Sequence, residues 1–248
     1  MNFLITISLF FSLPLLANDL KYSLGKAYNK DGKVVYIETH EYTDNNGTIK
    51  QLKTSYFKTD KKFFAELLSD FTISPYLPEY TFRDERFGRI DRTEWNTSKD
   101  SLMTFTKEDS EAEEKSKAFK PKENLITGQG LHAYLYRNLD KLIKKEDGTK
   151  IEYLIPKNQD KYNFKIKTLK HNQAENKVTF RVEMNSWLLR LVAPHIDITY
   201  DTKTKDLLVF EGPSNLLTDD KDGQNVKIIY QPGDKLEDLA KQAKGKKS

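Results

Sequence analysis

Apolar and polar residues alternate along most of this chain, and such a two-residue period is typical of half-buried β-strands. The clearest example is Lys161–Thr168, in which aromatic and aliphatic side chains fall on one face and mostly lysines on the other. Glycine-containing turns at residues 29–32 and 44–47 predict hairpins near the start of the chain. About a dozen strands follow from this pattern, and a sheet of that size must curl or close.

A single segment of the chain has strong helical spacing instead. Thr127 can cap this helix, Gly128-Gln129-Gly130 opens it, and Asp147-Gly148 ends it. Its apolar stripe consists of Leu131, Tyr134, Leu135, Leu139, Leu142 and Ile143. An amphipathic helix without a second helix must pack on a sheet. The predicted fold is therefore mainly β (α+β), a large curled antiparallel sheet forming a barrel or half-barrel, with one long helix packed on or in it.

The domain organisation follows from the segments that break the alternation. Glu108–Lys122 is charged and almost without apolar residues, which predicts a mobile loop. Neither side of this loop contains a complete sheet, so residues 18–232 are predicted to form a single β-rich domain, followed by a basic tail at 233–248. Lys61–Ser69 fits an apolar helical stripe and a bulged strand equally well.

The first 17 residues have the composition of a secretory signal peptide. An uncharged apolar run, Phe3–Leu16, precedes the small residue Ala17, so cleavage is expected before Asn18. The alternative is an uncleaved anchor, although the run is shorter than the about 20 apolar residues that a spanning helix needs. We therefore expect a periplasmic or secreted protein that has no integral membrane segment after cleavage.

Composition excludes several classes of function. The chain has no cysteine, which removes disulfides, zinc-thiolate sites and thiol catalysis. Its formal net charge is +4, too small to indicate a polyanionic partner. Aromatic and basic residues fall on opposite faces of Lys161–Thr168, whereas a nucleic-acid platform would need them on the same face. No nucleic-acid partner is expected.

Motifs of catalysis and metal binding are also missing from the sequence. There is no nucleophile-elbow Gly-x-Ser-x-Gly, no His-Glu-x-x-His and no P-loop. The four histidines lack the spacing of metal ligands on a helix. We predict no catalytic residue, no metal and no cofactor, although a Ser-His-Asp triad is defined by geometry and stays open at this stage.

The strongest candidate for a binding function is Trp187–Val192, which we call the apolar corner. Trp187, Leu188 and Leu191 make it the densest apolar cluster after the signal peptide, and it contains a single charge, Arg190. One interpretation is core packing beneath the helix. The other is an apolar rim around a cavity, with Arg190 beside the acidic group of a ligand.

Three further residues are weaker candidates for ligand binding. His132 lies in the first turn of the predicted helix, where free N–H groups can bind an anion, although a flexible loop that meets a helix is the simpler interpretation. Arg83 and Arg86 flank Asp84-Glu85. This cluster could recognise a polar head group, or could form salt bridges at the rim of the sheet.

A series of short motifs follows the start of the predicted helix. They are Gly128-Gln129-Gly130-Leu131-His132, Tyr153-Leu154-Ile155-Pro156, Tyr162-Asn163-Phe164-Lys165-Ile166, Ser186-Trp187-Leu188-Leu189-Arg190-Leu191, Ile198-Thr199-Tyr200-Asp201 and Glu211-Gly212-Pro213-Ser214-Asn215-Leu216, with Pro78–Arg86 upstream. Their order resembles that of an uncharacterised family of bacterial exported β-rich proteins of unknown function. The resemblance implies a shared fold over most of the mature chain and implies no activity.

The sequence therefore favours an exported, non-enzymatic binding protein that holds an apolar or amphipathic, lipid-like ligand in its curled sheet. An alternative is an envelope-assembly or protein-interaction module that acts through Glu108–Lys122 and the tail. A second alternative is a hydrolase with an unrecognised site.

Overall fold

The computed structural model describes residues 19–45 and 48–238. The predicted signal peptide and most of the basic tail lie outside the described residues. The secondary structure within these ranges consists of fifteen strands, one α-helix and three short 3-10 turns. The strands are β1 (Asp19–Tyr28), β2 (Val34–Asn45), β3 (Thr48–Phe57), β4 (Phe63–Asp70), β5 (Glu79–Asp84), β6 (Arg89–Asn96), β7 (Ser101–Lys107), β8 (Lys115–Phe119), β9 (Leu125–Thr127), β10 (Thr149–Ile155), β11 (Asp160–Asn172), β12 (Lys177–Met184), β13 (Ile196–Asp201), β14 (Leu207–Leu217) and β15 (Gly223–Pro232); the helix α1 is Gly130–Ile143.

All fifteen strands belong to one continuous sheet. Strands β1 to β8 follow one another in order on one side, β15 back to β9 follow on the other, and β1 pairs with β15 in the middle. Every neighbouring pair is antiparallel except β9 and β10. The sheet is curled but not closed, with β8 and β9 as its described edges. The predicted fold class, a mainly β half-barrel with one helix, is confirmed.

Side chains bring the two edges of the curled sheet together. Leu102 and Phe119 of one edge share a buried cluster with Leu125 and Leu154 of the other. The Lys117 ammonium also donates to the carbonyl oxygen of Gln159 at 2.9 Å. Side-chain contacts therefore join β8 and β9, the two edges that are not paired with each other as strands.

Helix α1 covers one end of the half-barrel. Leu135 and Leu139 of its apolar stripe are fully buried against β9, β11 and β12. The helix begins at Gly130. Glycine is required at this position because a Cβ would lie 2.1 Å from the carbonyl oxygen of Tyr76. The predicted stripe is too narrow, since Tyr136 is also buried, against residues of β2 and β3. The helix is buried on two sides because the sheet curls around it.

Two local predictions are decided by strand pairing. The ambiguous segment 61–69 contributes to a strand, β4, which pairs with both β3 and β5. The predicted loop Glu108–Lys122 is too long, since Lys115–Phe119 forms β8 and pairs with β7. Its lysines suit an edge strand, where exposed charge opposes pairing with other chains. No helix in the described ranges is long and apolar enough to cross a bilayer.

Replacing Leu135 with alanine should destabilise the protein by about 2–5 kcal/mol, because the substitution leaves a cavity beneath α1. Leu169→Ala is the matched control, since Leu169 is 45% exposed on β11; it should change the free energy of unfolding by less than about 0.5 kcal/mol. Urea unfolding followed by circular dichroism measures both. Equal effects would contradict the packing of α1 on the sheet.

Candidate functional site

The lumen of the curled sheet contains a cavity of about 300 Å³. Both halves of the sheet line it, together with the N-terminal turn of α1 and the bulged end of β14. Its lining is rich in aromatic rings, contributed by Tyr36, Tyr56, Tyr80, Phe82, Tyr153, Tyr200, Phe210 and Tyr230. Cavities of this size are at the lower end of the range, about 300–1,000 Å³, that small ligands occupy.

A buried carboxylate lies among these aromatic rings. Glu38 is 4% exposed, and its Oε1 accepts hydrogen bonds from the Tyr230 hydroxyl at 2.6 Å and from His40 Nε2 at 2.9 Å. Gly25 of β1 lies between Glu38 of β2 and Tyr230 of β15 in the register. A Cβ on Gly25 would come within 3.0 Å of both side chains. Glycine at this position therefore allows the two side chains to meet.

Two other tyrosine hydroxyls are held by the bulged end of β14. The Tyr36 hydroxyl lies 3.1 Å from the Ser214 hydroxyl, and the Asn215 amide donates to the Tyr56 hydroxyl at 3.1 Å. Burial, followed by the charge of Glu38, raises the pKa of Tyr36, Tyr56 and Tyr230 above its ordinary value. These hydroxyls are therefore neutral hydrogen-bonding groups.

A buried ion pair forms another part of the cavity wall. Arg89 donates to the carboxylate of Asp91 and to the carbonyl oxygen of Asn215, the latter at 3.0 Å. Asp91 also accepts from the Thr106 hydroxyl. The Arg89 Nε atom has neither a hydrogen-bond partner nor accessible surface. Arg89 therefore links β6 to the β14 bulge, and its charge is paired with Asp91.

His132 is the one predicted site residue that lines the cavity within the described residues. Its Nδ1 lies 2.7 Å from the Tyr200 hydroxyl, and the two rings stack with centroids 5.7 Å apart. Burial, followed by the charge of His40, lowers the pKa of His132 to about 3. The neutral imidazole is a hydrogen-bonding wall residue, and it supplies no positive charge to the anion site predicted from the sequence.

The apolar corner lies on the surface and not in the core. Leu189–Leu191 forms a 3-10 turn between β12 and β13, with Trp187 69%, Leu191 73% and Val192 82% exposed. None of these residues, nor Leu188, is among the described residues that line the cavity. Core packing, one of the two interpretations of this segment, is therefore wrong. The corner leads directly into Ile196, which does line the cavity, so both lie at the same end of the sheet.

The three predicted arginines are not brought together. Arg190 pairs with Glu183 at 2.9 Å, on the outer face of β12. Arg86 binds Asp84 and Asp219 at 2.7 and 3.0 Å and stacks on the Phe64 ring. Arg83 is exposed on β5, opposite Glu66. Salt bridges at the rim of the sheet, one of the two interpretations of the cluster, describe Arg86, which lies in the turn between β5 and β6.

Sequence reasoning missed the residues that form the polar part of the cavity. Tyr36, Glu38, His40 and Tyr42 occupy alternate positions on one face of β2. The available signal was the position of Glu38 between aromatic residues on one face of a strand. A buried acid needs specific partners, so this position indicates a polar site. The partner Tyr230 comes from the last strand and leaves no local trace near Glu38.

Among the described residues of the cavity wall, no hydrogen bond joins a serine to a histidine. The serine of this wall is Ser214, whose hydroxyl lies 3.1 Å from the Tyr36 hydroxyl and accepts a hydrogen bond from the Leu216 N–H group. A nucleophile must lie within hydrogen-bond reach of its base. Residues 19–45 and 48–238 contain no group of three or more acidic or histidine side chains placed to hold a metal ion.

Comparisons with known proteins leave the function open. No family model and no curated protein matches the chain. A crystal structure of a beta-barrel-like protein of domain of unknown function DUF1849, from Brucella abortus, aligns with 87% of this chain and 98% of its own. The two chains are 8% identical and the TM-score is 0.39, a level of similarity that carries no argument about function.

The buried imidazole predicts how stability depends on pH. Below its ordinary pKa of 6.5, an unfolded His132 takes up a proton that the folded chain binds only near pH 3. Stability is therefore lost as the pH falls from about 6.5 to about 3, by up to about 1.4 kcal/mol per pH unit from this residue. His132→Gln should reduce that slope in urea unfolding measured at several pH values. An unchanged slope would show that His132 accepts its proton in the folded state.

Proposed function

We propose that the protein is an exported, non-enzymatic binding protein that holds a small amphipathic ligand in the lumen of its curled sheet. The observation that carries the proposal is the cavity of about 300 Å³ between the two largest core clusters. Cores normally pack at high density without such voids. A void with mixed apolar and polar walls in an otherwise buried lumen is the usual form of a ligand site.

The composition of the wall supports an amphipathic ligand. Leu67, Ile196 and Phe210 supply apolar surface, whereas Glu38 and His40 supply polar atoms. Several wall rings are held by hydrogen bonds that their hydroxyl groups donate or accept, so they lose little freedom when a ligand binds. Such preorganisation favours affinity because less conformational entropy is lost.

Export is part of the proposal and rests on the N-terminal sequence. The first 17 residues have the composition of a signal peptide. N-terminal sequencing of the protein from its source cell should begin near Asn18. Recovery of intact Met1 would contradict export by cleavage.

Ligand binding is tested by organic extraction of the purified protein followed by mass spectrometry, and by uptake of an apolar fluorescent probe. Ile196→Trp should reduce probe uptake at least about tenfold, because the larger ring enters the cavity. Leu169→Trp adds the same ring at an exposed position of β11 that does not line the cavity and should leave uptake unchanged. Absence of both an extracted molecule and probe uptake would overturn the proposal.

A second candidate function, an envelope-assembly or protein-interaction module, is favoured by the exposed apolar corner. Five apolar side chains between Trp187 and Val192 are each more than two-fifths exposed. Contiguous exposed apolar surface of this kind commonly marks a contact site for another protein. The contact element in this case is the corner between β12 and β13, rather than the segment Glu108–Lys122 expected from the sequence.

A photo-crosslinking residue at Val192 should give a defined protein adduct in the native compartment. Trp187→Ser should abolish that adduct while changing the free energy of unfolding by less than about 0.5 kcal/mol, because Trp187 is exposed. A crosslinker at Leu169 is the control for nonspecific capture. An adduct that persists in Trp187→Ser, or that also forms at Leu169, would contradict a contact through the corner.

A further inference from the structure

We propose that the polar end of the cavity accepts the ammonium group of an organic cation, either a primary amine or a quaternary ammonium. Glu38 supplies the carboxylate and the rings of Tyr36, Tyr56 and Tyr230 supply the surrounding wall. The inference rests on the proposed binding function and narrows its ligand class to amphipathic cations.

The orientation of the Glu38 carboxylate is the first observation. Both hydrogen bonds that it accepts from the described residues end on Oε1. Oε2 accepts no hydrogen bond from the described residues, and it keeps some accessible surface. Since Glu38 lines the cavity, Oε2 is the oxygen atom that remains open to a ligand.

The charges around the cavity are the second observation. Glu38 has no lysine or arginine partner in the described ranges, and its basic neighbour is His40. Arg89 is paired with Asp91, and Lys157 is exposed at the rim. His132 is neutral because burial holds its pKa at about 3. A buried carboxylate is costly without an opposite charge. His40 supplies one only when its ring is protonated, whereas a cationic ligand would supply a permanent charge inside the cavity.

The aromatic rings are the third observation. Tyr36 and Tyr56 meet edge to face with centroids 6.1 Å apart, and Tyr56 meets Phe82 in the same way at 6.3 Å. The faces of such rings carry negative potential and attract ammonium groups, quaternary ones included. The hydroxyls of Tyr36, Tyr56 and Tyr230 are all hydrogen-bonded, so the rings keep their places when the cavity is empty.

The same surroundings disfavour an anionic head group. A carboxylate or phosphate placed beside Glu38 would be repelled by the negative charge of that side chain. The Arg89 charge offsets little of this repulsion, because the guanidinium is paired with the Asp91 carboxylate. The charge of the cavity wall therefore favours cationic amphiphiles over anionic ones.

The test compares octyltrimethylammonium, octylamine, octanol and octanoate, which share a chain and differ in the head group. Each competes with an apolar fluorescent probe bound to the full-length mature protein. The expected order places the two cations first, on the order of tenfold tighter than octanol, with octanoate weakest. Glu38→Gln should bring the cations to the affinity of octanol.

Two variants separate a role in binding from a role in folding. Glu211→Gln removes an exposed carboxylate of β14 and should leave the preference for cations unchanged. Tyr230→Phe keeps the ring and the Glu38 charge but removes the bond to Oε1, which frees a second carboxylate oxygen for the ligand, so the preference for cations should increase. Retained octanol binding by each variant shows that it is folded.

The outcomes also distinguish this inference from the proposed function. Equal binding of the four amphiphiles, a preference for octanoate, or a cation preference that survives Glu38→Gln would overturn the cation site and leave the binding function standing. If Glu38→Gln does not fold, loss of the cation preference in Tyr230→Phe overturns the site instead. Failure of all four amphiphiles to displace the probe overturns the site, and failure of the probe itself to bind overturns both proposals.

Discussion

The pairing of the first described strand with the last is the interaction on which the rest of the structure depends. Strands β1 and β15 pair in antiparallel fashion from Ser23 to Tyr28 and join two runs of strands that each follow chain order. Without this pairing the chain would form two separate sheets, each with one apolar face exposed to water. Because the joined sheet curls, both inner faces are buried in one lumen.

The register of that pairing also determines what the lumen contains. Gly25 lies beside both Glu38 and Tyr230, so an acid from β2 and a tyrosine from β15 form a hydrogen bond across the glycine. A larger residue than glycine would separate these two side chains. The bulge at the end of β14 holds Tyr36 and Tyr56. The cavity therefore has a wall of oriented rings in place of an apolar filling.

The two ends of the half-barrel differ in character. Helix α1 covers one end and contributes a neutral His132 to the cavity wall. The apolar corner is exposed at the end where Ile196 enters the lumen. An amphipathic cation in the cavity and a protein contact at the corner are compatible in one binding protein, because the two sites use separate side chains. Under the two proposals, the corner is a contact surface and the carboxylate of Glu38 sets the chemistry of the ligand.

Sequence by itself determined the fold class and most of the secondary structure, because strand and helix periods are local properties of the chain. Lys161–Thr168 alternates along β11 and the stripe of α1 repeats at helical spacing, and both elements form where predicted. The edge strand β8 escaped detection because its lysines show no contrast between an inner and an outer face.

Only the tertiary structure decided where the apolar corner lies and which residues form the cavity. An apolar segment does not reveal whether another part of the chain covers it, so Trp187 could be assigned to the core or to a rim and is in fact exposed. Glu38 and Tyr230 are 192 residues apart, and their contact arises from the pairing of the first and last strands. Long-range pairing leaves no periodic signal in either strand, and for that reason the candidate site could not be predicted from the sequence alone.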